Sequence, residues 1–189
     1  LVPWGEPAWR VNLSSAVLNP EKMLWTNQEY IMKGDAGRLL ELLEERLRAR
    51  GLAPELLSPE ARLGVVEELR TRAKTLEELA DGAAFFFSPG VTLDEKAAAK
   101  FLISDIAAPL GRVREAIAGV EPFAPEGIKE VFEGVLEAED MKLGKLAQPV
   151  RVAITGGTKS PGIFETLALL GKERSLERLD AALARIENP

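Results

Sequence analysis

Residues 152–162 read VAITGGTKSPG, an apolar run closed by two glycines and followed by Lys159, Ser160 and Pro161. A lysine and a hydroxyl behind glycines could cradle a phosphate, as the loops of nucleotide-hydrolysing enzymes do. That chemistry needs glycine directly before the lysine, and Thr158 stands there instead. It also needs a preceding strand in a parallel sheet. The other reading has Gly156 and Gly157 end one helix through positive-φ backbone, while Ser160 and Pro161 begin the next. A helix N-terminus beside Lys159 would then suit a phosphate, including one on a nucleic-acid backbone.

The rest of the sequence closes most routes to covalent chemistry. The 189 residues contain neither cysteine nor histidine. Disulfides, thiolate nucleophiles, the usual zinc sites and the commonest general base are thereby excluded. No metal site and no cofactor of the chain's own is expected. The net charge of −6 argues against a protein that coats nucleic acid indiscriminately, DNA included. Charge is nevertheless unevenly placed. Residues 121–140 hold seven acids and one lysine, whereas 141–178 hold seven cations against three acids. A solvated helical surface of mixed sign and a local anion-binding patch both fit that distribution.

The elements that must position these residues read as helices. Asn19 with Pro20, and Ser58 with Pro59, are N-cap and first-turn pairs. Thr75 with Glu78, and Thr92 with Glu95, have the spacing of capping boxes. SPGIF at 160 and SLERL at 175 supply two further starts, and runs such as RLLELLEERLRAR repeat leucine at helical spacing. PVRVAIT at 149 alternates like a strand, but no second segment exists to pair with it, so it reads as helix. Phe85, Phe86 and Phe87 read as packing between helices. No apolar run is long enough for a membrane helix, and no signal peptide is visible at the start. The sequence begins without methionine and reads as a piece of a longer protein. The fold class expected is all-α, a helical bundle or cage of two small lobes with a break near 108–112. Residues 1–34 would form a connector, 35–110 the first lobe and 111–189 the second.

The stretch MKLGKLAQPVRVAITGGTKSPGIFETLALLGKERSLERLDAAL resembles the C-terminal end of bacterial glutamyl-tRNA synthetases. Its marks are glycine-lysine, then glutamine-proline-hydrophobic-arginine, then alanine-hydrophobic-threonine-glycine. NPEKMLWTNQEYI is similar to the segment after that family's catalytic half, apart from Thr26, and RTRAKTLEELADGAAFFF to a mid-domain helix pair. The resemblance spans residues 16–187 in the family's order. It implies an all-helical anticodon-binding region of a glutamate–tRNA ligase, with tRNA(Glu) as partner. ATP and magnesium would belong to the absent catalytic half, since neither ATP-handling signature is present. A cytoplasmic monomer away from membranes is what it further implies.

The resemblance also implies site residues. Arg72 matches an arginine that reads the third anticodon base, with Arg70 as the alternative two residues away. Arg151 matches an arginine that contacts the anticodon region, although an ion-paired or snorkelling side chain is the plainer reading. Ser160, Pro161, Ile163 and Phe164 fall where splayed anticodon bases lie in the family, and Phe164 is alternatively a core residue. Lys142, Lys145, Lys159, Lys172 and Arg174 are candidates for backbone phosphates. A helical protein-interaction module that keeps the fold without binding RNA is the alternative function.

Overall fold

The computed structural model describes residues 19–188, so the first 18 residues of the expected connector lie outside the described residues. Among the described residues, ten α-helices and two 3-10 turns make up the regular structure, with no strand. The all-α expectation holds. PVRVAIT is helical, as the last two turns of α8 (Leu143–Thr155).

Three helices near the N-terminal end form one packed group. In α2 (Ala36–Ala49), Leu39, Leu43 and Leu47 recur at four-residue spacing and are buried. They meet Val65, Val66 and Leu69 of α3 (Pro59–Arg70) and Leu79, Ala80 and Ala83 of α4 (Leu76–Ala83). Each leucine and valine so buried contributes about 1.5–3 kcal/mol. α1 (Pro20–Lys33) precedes this group, and buries Ile31. The expected caps are present: Asn19 accepts from the Glu21 and Lys22 N–H groups, and Ser58 from that of Ala61. Thr75 accepts from the Glu78 N–H at 3.0 Å. Glu78 reaches back one residue further than the motif states, to the Lys74 N–H at 2.7 Å.

The second group is built on α6 (Ser104–Ala118), which packs against α7 (Pro125–Ala138), α8 and α10 (Lys172–Glu187). α9 (Ile163–Leu170) joins the two groups by packing on both α3 and α7. The break expected at 108–112 is absent, because α6 runs through it and a boundary at 110/111 falls inside that helix. Pro109 removes one backbone donor, yet Ile106, Leu110, Val113 and Ile117 bury one continuous face and outweigh that loss. α5 (Glu95–Phe101) also packs with the second group, on α8.

Three expected starts move. Asp94, not Thr92, caps α5, accepting the Ala97 N–H at 2.8 Å. Ser160 caps nothing: α9 begins at Ile163 after Gly162, without a side-chain cap. Ser175 lies buried inside α10, which begins at Lys172 because Gly171, at φ 87°, both ends α9 and opens the next helix.

The phenylalanines behave as expected, with Phe86 and Phe87 fully buried in the 3-10 turn Ala84–Phe87. Two arginines of α10 tie that turn in place. Arg178, 4% exposed, donates to the carbonyls of Ile154 at 2.5 Å, Phe85 at 2.8 Å and Ser88 at 2.7 Å. Arg174 donates to those of Phe86 at 2.8 Å and Ser88 at 2.6 Å. Burial, with the charge of Arg174 added, pushes the Arg178 pKa down to about 10.

Candidate nucleic-acid interface

α8 ends at Gly156, whose φ of 83° lies in the region that favours glycine. A side chain there would also collide with the Thr92 carbonyl oxygen. The Gly156 carbonyl in turn accepts the Asp94 N–H at 2.8 Å, so the approach to α5 is fastened to the end of α8. Gly157, contrary to expectation, has no positive φ and open space around it. GGTKS therefore follows a helix, and the strand that a nucleotide-hydrolysing loop needs is not there.

The loop from Gly157 to Gly162 is held by its own polar groups. Gly157 N–H donates to Thr155 Oγ1 at 3.2 Å, and Thr166 Oγ1 donates to the Gly162 carbonyl at 2.7 Å. Arg151, one turn back in α8, donates from Nε to Ser160 Oγ at 2.8 Å and from Nη2 to the Pro161 carbonyl at 3.3 Å. Burial first, and the neighbouring charge of Arg72 second, hold the Arg151 pKa below the ordinary arginine value. The two guanidiniums are thus near enough for their charges to oppose one another.

Arg72 reaches this place from just beyond α3. Leu69, Arg72, Ala73, Glu78, Leu79 and Gly82 line one side of a groove of about 210 Å³, and Lys159, Ser160 and Pro161 line the other. Arg72 and Lys159 are exposed, and neither side chain is hydrogen-bonded to a described residue. Their donors are available for an anion or a base edge. Arg70 differs: it donates to the carbonyls of Met32 and of Gly34, the latter at 2.7 Å, and pairs with Glu67 at 3.0 Å. That arginine fastens α1 to α3.

The remaining candidates lie elsewhere. Ile163 is 5% exposed and belongs to the core. Phe164 is half-buried, its ring edge-on to Phe132 with centroids 5.5 Å apart. Lys142 and Lys145 are exposed at the opposite end of α8, with Arg151 about 13 Å along the axis from Lys142 at roughly 1.5 Å per residue. Lys172 pairs with Glu121 at 3.1 Å, and Arg174 is engaged with the phenylalanine turn. The start of α9 is no open anion site either, since the Glu165 carboxylate folds back against Gly162. Glu78 is the groove residue that sequence reasoning missed as such. Its capping role was legible, but nothing local shows that α4 begins opposite a loop 80 residues away.

Comparison with known proteins bears on the chain as a whole. The family described as the anticodon binding domain matches residues 38–183. A glutamate–tRNA ligase of Geotalea uraniireducens is 41% identical over 175 residues, covering 93% of this chain and 37% of that protein. One of Myxococcus xanthus is 43% identical over 177 residues, covering 93% and 36%. A crystal structure of a glutamate–tRNA ligase from Elizabethkingia meningosepticum in complex with its amino acid superposes with a TM-score of 0.80. It is 26% identical and covers 89% of this chain and 33% of that one. The chain therefore spans little more than a third of the curated relatives it matches.

Proposed function

The chain belongs to the anticodon-binding domain family, and from that premise we propose that it reads the anticodon of a glutamate-accepting tRNA as part of a glutamate–tRNA ligase. The observation that carries this reading is the meeting of Arg72 with Lys159, Ser160 and Pro161 across one groove. Two segments nearly 90 residues apart combine exposed cationic donors with a loop pre-shaped by Arg151. Unpaired bases are recognised by such donors on their pairing edges, and a loop already in shape loses little entropy on binding. A wrong base leaves groove donors unpaired and is rejected for that reason. Ligation itself needs glutamate, ATP and magnesium, which the resemblance assigns to a part of the ligase outside this chain. The protein-interaction alternative keeps the acidic balance but gives no role to the exposed Arg72 and Lys159.

The test is binding of the chain to glutamate and glutamine tRNAs over a series of salt concentrations. The expected result is preference for the glutamate tRNA, affinity that falls steeply with salt, and loss of the preference in Arg72→Gln. Equal, salt-insensitive binding of both tRNAs, or none, overturns the reading.

A further inference from the structure

Glu78 is the one acid among the residues lining the groove that holds Arg72, Lys159, Ser160 and Pro161. Its carboxyl group is not free to wander. Oε2 accepts the Lys74 N–H at 2.7 Å, while the Glu78 N–H is held by Thr75 Oγ1 at 3.0 Å. The first turn of α4 thus fixes one oxygen, and no cation among the described residues pairs with the other. An acceptor is presented to a groove otherwise furnished with donors. The groove, about 210 Å³, is smaller than a site for a drug-sized molecule and suits a single ring.

We propose that Glu78 is a specificity-determining residue, selecting a base that presents an exocyclic amino group against one that presents a carbonyl oxygen in the same place. The proposal rests on the anticodon reading above and names a discrimination that Arg72 does not make alone. Cytosine and uracil have the same ring, but cytosine carries an amino donor at position 4 where uracil carries an oxygen. A carboxylate oxygen accepts from the first. Facing the second, it sets two acceptors together with no proton between them, so the hydrogen bond made to cytosine is lost and nothing replaces it. Arg72 donates to the acceptors beside that group, and Glu78 reads the group itself.

Glu78→Gln tests this with little disturbance, because the amide oxygen can keep the Lys74 N–H bond. The amide NH2 then faces the groove, and the acceptor there becomes a donor. The probes are synthetic anticodon stem-loops of the glutamate tRNA carrying cytosine or uracil as the third anticodon base, bound to the full chain. The wild-type chain is expected to favour cytosine by about tenfold or more, and Glu78→Gln to lower that ratio at least about tenfold, toward uracil, with an unchanged melting temperature. Thr75→Ala, which weakens the same cap without altering the groove's acceptor, should lower the melting temperature and leave the ratio alone. An unchanged ratio in Glu78→Gln overturns the proposal, as does a Thr75→Ala chain that shifts the ratio equally. A wild-type chain that binds neither stem-loop overturns the anticodon reading itself, and this inference with it.

Discussion

Arg151 Nε lies 2.8 Å from Ser160 Oγ, so a guanidinium in the last turn of α8 sets the path of the loop nine residues later. Its second bond, to the Pro161 carbonyl, fixes the neighbouring peptide. A lysine keeps the charge but lacks the planar fork that spans both acceptors. Arg151→Lys is expected to lower the melting temperature by a few degrees, through loss of roughly one hydrogen bond from a charged group, and to weaken tRNA binding about tenfold as the loop loosens. Titration of a labelled tRNA beside a thermal melt measures both.

Arg70 and Arg72 are two residues apart and should fail in opposite ways. Removing Arg70 as Arg70→Ala leaves the Met32 and Gly34 carbonyls and Glu67 without their partner. The expected cost is about 2–3 kcal/mol of stability. Arg72→Ala should cost less than about 0.5 kcal/mol, as an exposed residue without a described partner, yet abolish discrimination between the two tRNAs. Urea unfolding and tRNA affinity, measured on both variants, check the contrast.

The double glycine divides into one required position and one tolerant one. Gly156→Ala meets a positive φ and the Thr92 carbonyl together, and is expected to destabilise the chain by about 3 kcal/mol or more. Gly157→Ala meets neither, and should change stability by less than about 1 kcal/mol. Denaturant midpoints of the two variants decide it.

Arg114 grips Asp180 through two bonds, of 2.7 and 2.8 Å, joining α6 to α10. That grip holds the Asp180 carboxyl below the ordinary aspartate value of 3.8. A carboxyl lowered in the folded state contributes stability above its unfolded pKa and loses it as the pH falls through the folded one. Asp180→Asn should therefore melt below the wild type at neutral pH, with the difference vanishing well under pH 3.8. Paired melting curves across that range show the convergence or its absence.

Much of the fold was legible because helices announce themselves locally. Asn19, Ser58 and Thr75 cap where their spacing says, and leucines at four-residue intervals in α2 turn inward. The errors arose where a local signal met a longer-range one. Pro109 signals a break, but the buried face of α6 carries the helix through it. Thr92 has the capping spacing, but α5 begins only at Glu95, so Asp94 does the capping. Ser160 looked like a cap because it precedes proline, yet its hydroxyl answers to Arg151. At the groove, Arg72, Arg151 and the 159–161 loop were each visible from the resemblance. Their meeting, and the place of Glu78 among them, depends on α3 and α4 lying beside the end of α8, which no local pattern encodes.

The inward turn of Arg174 and Arg178, with Lys172 closed on Glu121, has a kinetic consequence. Three of the seven cations counted between 141 and 178 are thus engaged within the chain and withdrawn from direct contact with an approaching strand, and the chain as a whole carries −6. A polyanion therefore meets little pull from afar, and its arrival is not hastened by steering. On the reading proposed above, selection is left to the moment after contact, when mismatched strands depart quickly and those that fill the groove linger.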